Sequence, residues 1–343
     1  MKTIFKLLFY ILLITSTLTA GLDYTKKSSV KHFIKSMQTK YNYKSNTLYQ
    51  LFKNVKPKGE IKPYIPKKPD KEFMKLGSWD RYERIMLHDK RVSLGVQFLD
   101  DHKSTLARAK RIYGIPSEYI AAIIGIESYY GKNRGKFYVF DRLAYLAFNG
   151  HRRWKFYRYE LQEFLRMTAR QGVNPKAVLG SSSGAIGLGQ FMPSNYKRVV
   201  VDFNNDGKKQ MNNFEDAIGS ISNYLSMNGW RKGEPVATRV NYQGNRYNQK
   251  PTGYKHRYKR VNLHGIKPVI PFYYKKEVCL IKLKRTRYDE LWYGAKNFRV
   301  ITTYNHSSYY AMAVHQLAQK IKEKKNILQT NTSSVSQLFS NIK

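Results

Sequence analysis

The sequence predicts a mainly helical α+β chain, and three observations predict it. Apolar residues recur at helical spacing from Val30 to about Val55 and again from Trp79 to Ile112, the period of helices with one buried face. Between about Arg231 and Val300 that period gives way to β-branched and aromatic alternation with frequent glycine, the pattern of short strands. From Tyr310 through Val314, Leu317 and Ile321 the helical period returns, so the strands read as an insertion.

In chain order, Met1, Lys2 and Lys6 precede an apolar run from Leu7 to Ile14, and small residues lead to Ala20. These are the parts of a secretory signal over residues 1–20. A retained anchor is the alternative, although the run is shorter than the ~20 residues a spanning helix needs. Gly21, not cysteine, follows the expected cut, so no lipid anchor is expected there.

Residues 21–75 read as a helical segment carrying Phe33, Ile34, Met37, Leu48, Leu51 and Phe52, followed by a Lys/Pro-rich linker with Pro57, Pro63, Pro66 and Pro69. Proline at that density favours extended chain over helix. Residues 76–230 form a helical core, in which a helix starts near Pro116-Ser117-Glu118, with proline in the first turn and serine as cap. The β-rich insertion spans 231–303, with Val278 to Lys284 and Phe298 to Thr303 as its clearest alternating runs. A core helix covers 304–322, and the polar residues 323–343 read as a disordered tail.

The 343 residues include 62 Lys+Arg against 23 Asp+Glu, a formal charge of +39, with 42% hydrophobic and 14% aromatic residues. That excludes an acidic or wholly disordered protein and leaves room for a sizeable core. The charge favours a polyanionic partner: nucleic acid, anionic lipid or an acidic wall polymer. Export disfavours nucleic acid as the main partner. The single cysteine, Cys279, lies among Val278, Leu280, Ile281 and Leu283 and reads as a buried thiol.

Three motifs could carry chemistry. Ile120, Ile123, Ile124 and Glu127 share one helical face, so the carboxylate is either desolvated into a general acid or held in a structural ion pair at the stripe's edge. The run Gly180-Ser181-Ser182-Ser183-Gly184-Ala185-Ile186-Gly187-Leu188-Gly189-Gln190-Phe191-Met192-Pro193 permits tight turns and close approach to a ligand, or is a loop between packed helices. It lacks the endings of phosphate and dinucleotide loops. Asp202, Asn204 and Asp206 before Gly207 match the start of an EF-hand loop, with Asn213 at the twelfth position where glutamate is usual. An Asx-stabilised turn is the alternative.

Taken in order, Gly125-Ile126-Glu127, Phe148-Asn149 before Arg152-Arg153, Gly187 to Ser194, Asp216 to Ser220 and Tyr304-Asn305-His306-Ser307 resemble the membrane-bound lytic murein transglycosylase B family, lysozyme-like enzymes that cut peptidoglycan. The resemblance spans roughly Val30 to Ile321. It implies a lysozyme-like core, an N-terminal helical domain packed on it and a small β domain inserted late. It also implies that Glu127 protonates the oxygen between N-acetylmuramic acid and N-acetylglucosamine and then activates the muramyl 6-hydroxyl, giving 1,6-anhydromuramic ends.

A single acid agrees with the chain, where the other carboxylates between Ile115 and Val201 are Glu118, Asp141, Glu160 and Glu163, Asp141 reading as a helix cap; ordinary glycosidases use a pair. By resemblance, Ser181 and Gln190 line the cleft near the cut bond, and Tyr82, Arg152, Arg153, Phe191, Met192, Tyr224, Tyr304, Asn305 and Tyr310 contact or support the sugars. Asp202, Asn204, Asp206 and Asn213 match the family's EF-hand-like loop, a place for Ca2+ or Na+; no cofactor is required. The implied protein is a periplasmic monomer acting on glycan strands, in company with cell-wall synthesis or division proteins. A non-catalytic basic wall-binding scaffold is the competing reading, and it would be marked by loss of the glutamate.

Overall fold

The structure is a computed structural model that describes residues 21–56, 70–244 and 246–340. The segment expected to be a secretory signal and most of the Lys/Pro-rich linker lie outside the described residues. The described residues fall into two compact units: one holds 21–56, 135–186 and 191–196, and the other 70–134, 187–190, 197–244 and 246–340. The division departs from the linear one expected above, because part of the 76–230 segment packs with the N-terminal helices.

The reason lies in the first unit's aromatic core. Phe33 on the helix Ser28–Tyr41 and Phe52 on Ser45–Lys53 meet Phe148 edge-on at 5.7 and 5.8 Å, and Phe52 meets Phe140 at 5.2 Å. Such offset contacts add to the large apolar area each ring buries. Phe140 and Phe148 belong to the helix Val139–Phe148, which packs on Trp154–Arg170. Lys27 ties the N-terminal segment to the end of that helix by donating to the Phe148 carbonyl at 3.0 Å and Asn149 Oδ1 at 2.7 Å. Asp141 is not a cap: it lies inside the helix, buried, paired with Lys176 at 2.5 Å.

In the second unit the helix Ser117–Ser128 is surrounded. Tyr119 to Gly125 are all buried, as expected of a helix apolar on every side. Against it pack Asp89–Asp101, Lys103–Tyr113, Phe214–Met227 and the C-terminal helix Ser308–Ser340. Its cap position falls on Pro116, with Ser117 the first helical residue.

The insertion holds a four-stranded antiparallel sheet ordered Ile266–Pro268, Ala237–Tyr242, Asp289–Gly294, Cys279–Lys284. Val278 to Lys284 is a strand region as expected, and Cys279 is buried with its thiol pushed up to about 12 by burial. Phe298 to Thr303 is not a strand: it lies in the helix Lys296–Tyr304. Its buried residues Asn297, Phe298, Val300, Ile301 and Thr302 cover one face at helical spacing, which β-branched composition alone conceals.

The expected disordered tail is also corrected, since the helix begun at Ser308 continues to Ser340. Propagation from a buried turn needs no apolar side chains. Lys325 pairs with Asp100, and Lys324 donates to Ser93 Oγ at 2.8 Å. Among the described residues no helix is long and apolar enough to cross a membrane.

Candidate active site

Glu127 sits one residue before the end of its helix, and the chain leaves that end through two left-handed residues, Tyr129 (φ 51°) and Tyr130 (φ 55°). Consecutive non-glycine residues in this region cost on the order of 1 kcal/mol each. Packing offsets the strain. The Tyr130 hydroxyl lies where a Cβ on Gly95 or Gly125 would stand, at 2.6 and 2.5 Å, so those glycines make room for the ring. Arg91, 5.2 Å from the Tyr129 ring, donates to the Ile85 carbonyl at 2.8 Å.

The Glu127 side chain is half-buried and receives a hydrogen bond from the Tyr310 hydroxyl at 2.6 Å. Burial raises its carboxyl from 4.5 to about 7, and the Tyr310 bond opposes part of that rise. Neither contributor is a second carboxylate. Among the described residues no cation pairs with Glu127, so the structural ion pair that the sequence left open is not seen there. Glu118, on the same helix, has Lys322 at 4.0 Å; Glu160 accepts from Ser194, and Glu163 pairs with Arg166 in the first unit.

Tyrosines surround the acid. Tyr304 and Tyr310 stack at 6.3 Å with an interplanar angle of 12°, and Tyr224 meets Tyr304 edge-on at 5.0 Å. The Tyr304 hydroxyl donates to the Gly189 carbonyl at 2.5 Å and the Tyr224 hydroxyl to the Thr303 carbonyl at 2.6 Å. Burial, then the Glu127 charge, hold the Tyr304 and Tyr310 phenols well above their ordinary range. Tyr82 feels the same two influences and stacks on Trp79 at 5.9 Å.

The glycine-rich segment delivers Gln190 to this unit. Gly187 has φ +77°, and a Cβ there would lie 2.5 Å from the Met211 carbonyl oxygen. Gln190, itself left-handed, folds back to donate to the carbonyls of Gly187 at 2.8 Å and Arg134 at 3.2 Å. Thus Glu127, Tyr82, Gln190, Tyr224, Tyr304 and Tyr310 share the second unit, as does Asn305, exposed at the turn after Tyr304.

The other residues expected to contact or support the sugars, Ser181, Phe191, Met192, Arg152 and Arg153, belong to the first unit. Ser181 Oγ accepts from the amides of Ser183 and Ala185 at 3.2 and 3.0 Å, closing the serine loop. Phe191 is buried and bridges to Ile186, and Met192 is half-buried. Arg152 and Arg153 are exposed, the Arg153 guanidinium lying 4.3 Å from the Phe156 ring.

Three supports escape the sequence reading. Arg91 breaks the apolar run around Val92 and Val96, a visible signal, while Trp79 reads only as part of a helix face. Arg285 gave no signal at all. It joins the inserted sheet to the Tyr82 helix through Asp80 at 2.9 Å, Glu83 and, at 3.0 Å, Glu290.

In the EF-hand-like loop, Asp202 accepts from the amides of Asp206 and Gly207, and Asn204 Oδ1 accepts from the Asp206 amide. Asp206 in turn accepts from the Lys208 amide. Asn213 Oδ1 is committed to the helix cap, accepting from Glu215 and Asp216 at 2.8 and 3.2 Å. Buried Asp216 closes the loop by accepting from Phe203 and Gln210, each at 2.7 Å. Among the described residues no cluster of three His, Cys, Asp or Glu side chains could hold a metal. The twelfth position is an amide whose oxygen already caps the helix Phe214–Met227, so Asn213 would have to give up those bonds to serve as a ligand.

The model of the transglycosylase SLT domain matches residues 25–319. The chain belongs to the transglycosylase SLT domain family. Membrane-bound lytic murein transglycosylase B of Escherichia coli (strain K12) is 35% identical over 316 residues, covering 88% of this chain and 84% of that protein. The Escherichia coli lytic transglycosylase SLT35, solved in complex with bulgecin A, superposes with a TM-score of 0.82 at 35% identity, over 89% of this chain and 96% of that one. Its structure in complex with calcium gives 0.80 at 34% identity, over 89% and 96%. As a transglycosylase SLT domain protein the chain is an enzyme, a lytic murein transglycosylase, with the lysozyme-like fold of its relatives.

Proposed function

We propose that this transglycosylase cleaves the β-1,4 bond between N-acetylmuramic acid and N-acetylglucosamine without water, with Glu127 as general acid and then base. The observation that carries the reading is a carboxyl near pKa 7, bonded to Tyr310 and shifted without help from a second carboxylate. At neutral pH such a group is partly protonated and can give its proton to the bridging oxygen as the bond to muramyl C1 breaks. The carboxylate left behind accepts the proton of the muramyl 6-hydroxyl as that oxygen bonds to C1. Glu127 ends protonated, and the product is a 1,6-anhydro ring. One acid suffices because the nucleophile belongs to the substrate and is held at high effective concentration.

The remaining residues position the strand. Tyr310 orients Glu127, Tyr304 fixes the Gly187–Gln190 turn by its bond to Gly189, and Gln190 presents an amide group. Tyr82 and Tyr224 offer ring faces to sugars; Ser181, Arg152, Arg153, Met192 and Asn305 bind polar groups or glycan edges, with Phe191 supporting from the core. Catalysis uses no cofactor. A Ca2+ or Na+ ion would rest on Asp202, Asn204 and Asp206 without Asn213, apart from the chemistry. The enzyme acts on glycan strands in the periplasm, exported by the leader over residues 1–20.

Mass spectrometry of the fragments released from purified sacculi, run beside Glu127→Gln, tests this. Expected are anhydromuramic ends, one water lighter than hydrolysis products, absent with the variant. Reducing ends would instead mean hydrolysis and overturn the reading.

A further inference from the structure

A cavity of about 980 Å3 opens on the inserted sheet and the start of the helix Lys296–Tyr304, and Glu127 is not among its lining residues. Eight of the lining side chains are cationic and one, Glu277, is a carboxylate. Among the described residues only Lys276 of the eight has an acidic partner, Glu234 at 2.5 Å. Lys296 and Arg299 are half-buried without one. Like charges gathered on one concave surface create a positive potential that an anionic ligand complements.

The floor is built rather than incidental. Arg260 donates to the carbonyls of Phe272 at 3.0 Å and Tyr274 at 3.3 Å and lies 5.9 Å from the Tyr293 ring. Tyr293 donates to the Ile266 carbonyl at 2.7 Å, and Tyr274 accepts from the Lys296 amide at 3.2 Å. These bonds fix the wall against which a ligand would lie.

We propose that this cavity binds the acidic stem peptides carried by peptidoglycan strands, an accessory site that rests on the proposed reaction for its substrate. The charge pattern selects the class. A stem peptide presents several carboxylates and the ammonium of a diamino acid, matching many cations and one rim carboxylate, Glu277, held only loosely by Arg257 at 3.6 Å. A phosphate polymer offers no cation for Glu277. Engagement here would hold a peptide-bearing strand to the enzyme while Glu127 acts elsewhere on the chain.

The test uses full-length Glu127→Gln protein and the free tetrapeptide L-alanyl-γ-D-glutamyl-meso-diaminopimelyl-D-alanine, with binding followed by calorimetry. Saturable binding is expected, weakened about tenfold by Lys259→Gln with Lys267→Gln and lost progressively with salt. Both lysines are exposed, so the fold is retained; Arg299→Gln probes the half-buried wall separately. Equal affinity in all these proteins, or inorganic polyphosphate displacing the peptide and binding more tightly, would overturn the proposal. Because the peptide contains no glycan, this result is independent of whether the wild type yields anhydromuramic ends.

Discussion

The Tyr310 hydroxyl reaches the Glu127 carboxylate at 2.6 Å across 183 residues of sequence. The acid and its orienting phenol thus come from opposite sides of the inserted sheet in the chain. Their meeting makes Glu127 a shifted but directed acid, and the consequences can be measured.

The first concerns pH. The Glu127 carboxyl is raised from 4.5 to about 7 when folded, so the folded chain keeps a proton that the unfolded chain releases. Its contribution to stability is present below pH 4.5 and is lost as pH rises through 7. Glu127→Gln should gain stability over the wild type across that window, by on the order of 1–3 kcal/mol. Melting temperatures of both proteins at either end of the window check this. Turnover should fall above the same pKa, because the acid form starts the reaction.

Tyr310→Phe removes the hydrogen bond that holds the carboxyl down. The alkaline limb of the pH–rate profile should move upward, and turnover should fall about tenfold as the carboxylate loses its orienting donor. A variant that loses rate with an unmoved profile would mean that Tyr310 serves packing alone.

Gly187→Ala places a Cβ against the Met211 carbonyl and forces φ +77° on alanine. Since the obstacle is backbone, relief is expensive, and a loss of about 1–3 kcal/mol is expected in chemical denaturation. The same turn positions Gln190, so KM should rise as well.

Arg285→Met leaves Asp80, Glu83 and buried Glu290 without their shared guanidinium, for an expected loss of about 3 kcal/mol. Burial pushes Asp80 up, but bonds from Thr286 and Arg285 hold it below 3.8 overall. That contribution exists above the ordinary carboxyl pKa and disappears as pH falls through the lowered one. Acid titration of stability should therefore be shallower in the variant than in the wild type.

The sequence by itself determined which faces are buried. Its periodicity placed Glu127 on an apolar helix, marked the inserted sheet through Val278 to Lys284, and set the glycine-rich turn before Gln190. The ordered motifs mark the transglycosylase SLT domain family to which the chain belongs. Only the tertiary structure decided what covers each face. Phe33 and Phe52 could not announce Phe140 and Phe148 as partners, and nothing local joined Arg285 to Asp80 or Tyr310 to Glu127. Phe298 to Thr303 looked like strand because β-branched residues suit either element until packing selects one. The polar tail likewise became helix by continuing a buried turn. Hydrophobic period is a property of neighbours in sequence, whereas burial of a charge, and hence its pKa, depends on residues brought from far along the chain.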